Sequence, residues 1–333
     1  MTAGWRVGAV VAGVCLASCG SSSATTTPAR ATATPKPGPP PPMVLAGESS
    51  QLGNAGLYIV NADGRGLQHI ANTLKGDRAP SMSPDGKRIA FVGAEDSDDG
   101  ISVINIDGTG RTRLTAGGTS ADDDVPSWSP DGRRILFLRD DAPGYLLFTI
   151  AADGSDPHQV TKISDSTDEM IRPGWSPDGQ YIVFEDAAPP DNARDIYVIH
   201  ADGSGRVRLG APGRPVQDYQ PSWDPRGYFI AFVEQAGTDV ALFVMPANGG
   251  GGRRLIALTP ASTIWPAWSP DGGRIAFELP DAGYIVVMNS GGGDSLRMAL
   301  PGVFHTPSWT TAGASHIYIP PLPTPTAAVS PTP

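Results

Sequence analysis

The chain has 333 residues, with Lys+Arg 24 against Asp+Glu 34 and a formal net charge of -10. That sign is wrong for wrapping nucleic-acid phosphates or for riding on anionic lipid by charge, which excludes both partner classes. Gly 41 and Pro 34 announce many turns, yet the glycines keep no period of three, excluding collagen, and 40% apolar residues suffice for a core.

The first element is a routing signal. Residues 1–18 carry one arginine, Arg6, an apolar run from Val7 to Leu16 and small residues before Cys19. The run is too short to remain as a membrane-spanning helix. Leu16-Ala17-Ser18-Cys19 resembles the bacterial lipobox, so Cys19 is the expected lipidation site and acyl chains there the expected membrane attachment. An exported, membrane-anchored lipoprotein, in the periplasm or at the cell surface, is the resulting expectation. Cys15 would leave with the signal peptide, so no disulfide is expected to support the fold. Residues 19–54 are rich in Ser, Thr and Pro and read as a disordered stalk; the Pro-rich tail, 320–333, reads the same way.

Between the two tails one phrase recurs. Its copies begin at Pro80, Pro126, Pro173, Pro221 and Pro266 and read Pro-x-Trp-Ser-Pro-Asp-Gly-x-x-Ile-x-Phe with small variations; a degraded sixth begins at Pro307. Pro presets the first central position of a turn, Asp tolerates the second, and Gly accepts the positive φ that closes it. The Ile-x-Phe that follows alternates as a half-buried strand should. A second family of hairpins lies between the first, starting at Leu57, Ile101, Tyr145, Ile196, Leu242 and Tyr284 and turning through Asp-Gly or a Gly-rich equivalent. Four antiparallel strands per period of about 40 to 45 residues describe a propeller blade. The fold expected over residues 55–319 is therefore all-β, a six-bladed β-propeller of four-stranded antiparallel blades. The chain enters on the second hairpin type and leaves on the first, so N-terminal and C-terminal strands should share a blade and close the ring.

In-phase repetition of Trp-Ser-Pro-Asp-Gly-x-x-Ile-x-Phe resembles the TolB-like β-propeller family. The place of the globular α/β domain that precedes the TolB propeller is taken here by the Pro-rich stalk, and no α/β-hydrolase domain follows the repeats. The resemblance implies a stand-alone propeller.

The turns inside hairpins share one rim of such a ring, and the longer connections share the other, where recognition usually sits. The loop rim is strongly acidic. Asp96, Asp98, Asp99, Asp122, Asp123, Asp124, Asp168 and Glu169 lie on it. Such a face either keeps the protein soluble or receives a basic segment of a partner, with loosely held calcium as a further reading. No acidic stretch has the spacing of a calcium loop, and no cofactor is expected.

The residue before each repeat proline should stand near the channel mouth, which nominates Arg172, Gln220 and Trp265, with Tyr219 and His305 alongside, as a binding pocket; alternatively Trp265 only fills a gap. The repeat tryptophans read as blade-to-blade packing. No nucleophile elbow, nucleotide loop or metalloprotease helix is present, and the five histidines fall at unrelated blade positions, so no catalytic residue is assigned. The expected function is a monomeric, non-enzymatic scaffold of the cell envelope that binds an envelope protein or basic peptide on its acidic loop face. The competing reading is a propeller acting on or binding polysaccharide, with loop carboxylates and Trp265 holding a glycan.

Overall fold

The computed structural model describes residues 42–49, 53–95, 98–116, 122–140, 144–163, 171–187, 193–210, 213–258, 264–279 and 284–309. These form twenty-four strands in six four-stranded antiparallel sheets. Blade 1 contains β1 (Met43–Ser49), β2 (Ala55–Val60) and β3 (Gln68–His69), with β24 (Gly302–Trp309) as its inner strand. Blade 2 runs β4 (Arg78–Met82), β5 (Arg88–Glu95), β6 (Asp98–Asn105), β7 (Thr112–Arg113). Blade 3 runs β8 (Asp123–Trp128), β9 (Arg134–Asp140), β10 (Tyr145–Ala151), β11 (His158–Ile163). Blade 4 runs β12 (Gly174–Trp175), β13 (Tyr181–Asp186), β14 (Asp195–His200), β15 (Val207–Arg208). Blade 5 runs β16 (Gln217–Trp223), β17 (Phe229–Ala236), β18 (Asp239–Pro246), β19 (Arg253–Leu258). Blade 6 runs β20 (Ala267–Trp268), β21 (Arg274–Leu279), β22 (Tyr284–Asn289), β23 (Leu296–Arg297). The inner strands touch in turn, β24 to β4, β8, β12, β16, β20 and back to β24, which closes the ring.

N-terminal and C-terminal strands share blade 1 and close the ring as expected, but each end supplies a different share of it. The final hairpin was expected to supply two strands, but β24 pairs with β1 from the other end of the chain, Val44 lying opposite Ser308 and Gly47 opposite Phe304. Residues 43–49 fall inside the segment read as stalk, yet they form a strand whose Met43, Val44 and Leu45 are fully buried. The three apolar residues explain the change: they supply the buried second strand of blade 1. The degraded sixth phrase, Thr310-Thr311-Ala312-Gly313, has lost the Ser-Pro-Asp-Gly turn; it lies outside the described residues. Gly47 is required by this seam, because a Cβ there would collide with the Val303 carbonyl and with Phe304.

A second difference concerns the Ile-x-Phe strands. Ile89, Ala90 and Phe91 are all buried, as are Ile135, Leu136 and Phe137, Ile182, Val183 and Phe184, and Ile275, Ala276 and Phe277. Alternation is absent because a blade has neighbours on both faces, so the second strand has no solvent side. Each fully buried Phe contributes about 1.5–3 kcal/mol relative to exposure.

The tight turns follow their sequence. Ser129 Oγ donates to Asp131 Oδ1 at 2.6 Å and accepts the Arg134 N–H at 2.9 Å, while Arg133 N–H donates to the same Asp131 oxygen at 3.0 Å. Ser83 with Asp85, Ser176 with Asp178 and Ser269 with Asp271 repeat the pattern. The bond from Ser83 holds the Asp85 carboxyl below its usual range. The tryptophans tie blades together: Trp175 Nε1 donates to the Ser127 carbonyl at 3.2 Å, Trp268 Nε1 to Ser222 at 3.0 Å and Trp309 Nε1 to Ala267 at 2.9 Å, each in the preceding blade.

Candidate functional site

The loop face is shaped by the start of each inner strand. Just before the repeat proline the backbone turns left-handed, with φ of 49° at Ala79, 47° at Val125, 53° at Gln220, 40° at Trp265 and 51° at Thr306. These are costly positions for residues other than glycine. In β4, β8 and β16 the pairing register slips across this residue and its proline. The bulge turns the residues on either side toward different surroundings.

Between blades 2 and 3 this geometry opens a cleft of about 200 Å³ on the loop face, lined by Arg78, Asp99, Asp122, Asp124, Asp140 and Tyr145 among others. Arg78 bridges two carboxylates, Nη1 to Asp99 at 2.9 Å and Nη2 to Asp124 at 2.8 Å. Burial works against the charge on Arg78, but the two aspartates outweigh it and raise its pKa. Four carboxylates and one guanidinium leave the cleft with three net negative charges. Asp122 and Asp140 stand exposed. Asp123, between Asp122 and Asp124, points to the other side of the strand: it is fully buried and held by Arg139 at 2.7 and 2.9 Å. The Arg139 guanidinium lies over Phe148 at 4.9 Å.

Thus the nominated trio divides. Asp122 and Asp124 face the cleft, whereas Asp123 is a structural anchor and unavailable to a partner. Asp77 with Arg111, Asp195 with Arg208 and Asp186 with Arg206 are anchors of the same kind, so part of the acidic loop face is neutralised within the protein. Asp99 belongs to the cleft. Asp98 opens β6, and Asp96, Asp168, Glu169 and Cys19 lie outside the described residues. Among the described residues no group of three His, Cys, Asp or Glu is arranged to hold a metal. In the cleft the guanidinium of Arg78 takes the place a cation would need between Asp99 and Asp124.

The channel mouth is built differently from the expected pocket. Tyr219 is buried in the apolar layer between blades 5 and 6, and Gln220 is buried as well. Gln220 Oε1 accepts the N–H groups of Ile264 and Trp265 at 3.1 and 3.2 Å, satisfying the backbone where blade 6 turns left-handed. Both residues position the mouth and do not line it. Arg172 and Trp265 are half-buried and stack, the guanidinium carbon standing 5.4 Å from the ring centroid. Burial lowers the Arg172 pKa to about 10, against the attraction of Glu278 and Asp124. His305 keeps 45% of its side chain exposed and places Nδ1 at 3.4 Å from Glu278 Oε2, an interaction that raises its pKa.

Two buried glutamates escaped the sequence reading. Glu185 accepts the Gln220 N–H, and Glu278 accepts the Thr306 N–H at 2.9 Å, each from the following blade. Their signal was present: they follow the repeat Phe, where other blades carry Val92, Leu138 and Val233. Asp218, on β16, was missed too. It is buried between Asp195 and Arg214, and burial, then the charge of Asp195, pushes its pKa up to about 7.

A closed ring of six four-stranded blades, with an arginine-bridged acidic face and a narrow axial channel, defines the class as a six-bladed β-propeller. The sequence pattern of the TolB β-propeller domain matches residues 31–219, more than half of the chain, and the protein belongs to that family. No curated protein matches the chain. Among solved structures it is similar to TolB from Acinetobacter baumannii, at 20% identity and a TM-score of 0.69 over 82% of this chain and 67% of that one. A putative TolB from Agrobacterium tumefaciens is similar at 19% identity and a TM-score of 0.50, over 67% of this chain and 91% of that one. An oligogalacturonate lyase from Vibrio parahaemolyticus is similar at 13% identity and a TM-score of 0.55, over 78% of this chain and 79% of that one. At these identities the likeness is one of fold.

Proposed function

We propose that the protein is a non-enzymatic propeller of the cell envelope, exported and tethered through Cys19, which binds a protein partner on its acidic loop face. The cleft between blades 2 and 3 carries this reading. It offers exposed Asp122 and Asp140 beside the bridged pair Asp99 and Asp124, with Tyr145 as an aromatic wall, a combination suited to a lysine or arginine side chain of a partner segment. The family match supports an interaction scaffold in general terms. The polysaccharide-acting alternative has less support, because Asp99, Asp123 and Asp124 are occupied by arginines and are poorly placed for proton transfer to a sugar.

The test is affinity capture from envelope extracts with the intact protein and with the double variant Asp122→Asn/Asp140→Asn. These substitutions leave the Arg139 anchor intact, which changing Asp123 would not. Capture should fall several-fold in the variant, and wild-type capture should weaken as salt shortens the Debye length to about 3 Å near 1 M. Equal, salt-independent recovery would defeat the docking proposal. Turnover of oligogalacturonides by the purified protein would instead favour the enzyme reading.

A further inference from the structure

The axial channel holds a feature independent of the acidic cleft. A cavity of about 270 Å³ runs along it, walled by the repeat prolines and tryptophans and by the hydroxyl-bearing residues Ser81, Ser127, Ser222 and Ser308. Prolines of the tight turns, Pro130, Pro225 and Pro270, stand at one end, and among the described residues lining it only Arg172 is charged. In a protein of net charge -10 the described wall of the channel is thus neutral apart from one cation.

Arg172 has no carboxylate partner among the described residues. Arg78, Arg139, Arg206, Arg208 and Arg214 each pair with one. Its Nη1 is buried with no hydrogen-bond partner, and so is Nε1 of Trp265, on whose ring it lies. Oγ1 of Thr306, at the same pre-proline position in the next blade, is also buried and without a partner. The nearby carboxylates are engaged elsewhere, Glu278 by His305 and the Thr306 N–H, Asp124 by Arg78. A half-buried arginine with an unpartnered buried Nη1 is costly unless an incoming group completes it.

We infer that Arg172, whose guanidinium lies on the Trp265 ring, is a receptor for a carboxylate that enters the axial channel. A planar carboxylate accepts two parallel hydrogen bonds from a guanidinium. The carboxylate comes either from the end of a polypeptide or from a small organic or sugar acid; the channel chemistry is the same for both.

The experiment is a nuclear magnetic resonance titration of the full chain, following the Trp265 indole N–H, assigned through Trp265→Phe. N-acetylglycylglycine is compared with its amide, D-galacturonate with D-galactose, and sodium acetate with sodium chloride at equal ionic strength. At least one carboxylate should give a saturable shift that its neutral counterpart lacks, and Arg172→Met should weaken it at least about tenfold. A response to the peptide alone assigns the natural ligand to a chain terminus, to galacturonate alone a sugar acid, and to all three a general carboxylate receptor. Arg172→Met should retain the circular dichroism of the parent and an equal or higher melting temperature, because it removes a half-buried charge that forms no ion pair among the described residues. No saturable shift with any carboxylate, an equal shift with the neutral compounds, or unchanged affinity in Arg172→Met overturns the inference.

Discussion

Asp218 shows how a single buried carboxylate sets the pH response of the fold. Its pKa of about 7 lies above the ordinary value of 3.8, so the native state holds a proton that the unfolded chain releases above about pH 4. Stability from this group is complete below pH 4 and is lost as pH rises toward 7. His305 acts in the same direction: held by Glu278, it favours the charged form in the folded state, and that contribution fades as pH rises through its elevated pKa. Asp218→Asn is expected to stabilise the protein at pH 8, by up to about 4 kcal/mol, and to change little at pH 4. Denaturant unfolding at the two pH values checks this; a variant less stable than its parent at pH 8 would show that the ionised Asp218–Arg214 pair dominates.

At the scale of the element, the Ser-Pro-Asp-Gly hairpin is held by one hydroxyl that both donates and accepts. Ser129→Ala removes the bond to Asp131 and leaves the partly buried Arg134 N–H without its acceptor. A loss of about 1–3 kcal/mol is expected, read as a lower midpoint with an unchanged denaturant slope. Blade 5 carries Asp224 where the other turns have Ser, and Arg226 Nε donates to Asp224 Oδ1 at 3.1 Å. The turn class was legible from four residues because its chemistry is local. The burial of the following strand was not, because its second face is covered by a blade some 45 residues away.

The whole molecule depends on the seam between β1 and β24. Gly47→Ala forces a methyl group against the Val303 carbonyl and Phe304, and should cost about 1–3 kcal/mol. Deletion of residues 1–49 should be far more severe, since it strips β1 from both its neighbours and exposes the edges of β24 and β2. Removal of residues 1–38, which stops short of β1, should leave the melting temperature nearly unchanged. Thermal unfolding of the two truncations separates the cases, and equal melting temperatures would mean that β1 does not hold the ring.

Repeats in phase, a turn motif in five of the six copies and tryptophans at a fixed offset were enough for the amino-acid sequence to specify a six-bladed ring. Periodicity and turn chemistry act over a few neighbouring residues and survive in one dimension. The tertiary structure decided which strand closes the ring, which acids face water and which polar groups go unpaired. Met43–Ser49 became a strand because β24 offered an open edge; Asp122 and Asp123 parted because the pleat sends neighbours to opposite faces. Arg172 forms no ion pair among the described residues, where the carboxylates brought near it are held by His305 and Arg78. Each outcome depends on groups distant in the chain meeting in space, and linear order carries no record of that meeting.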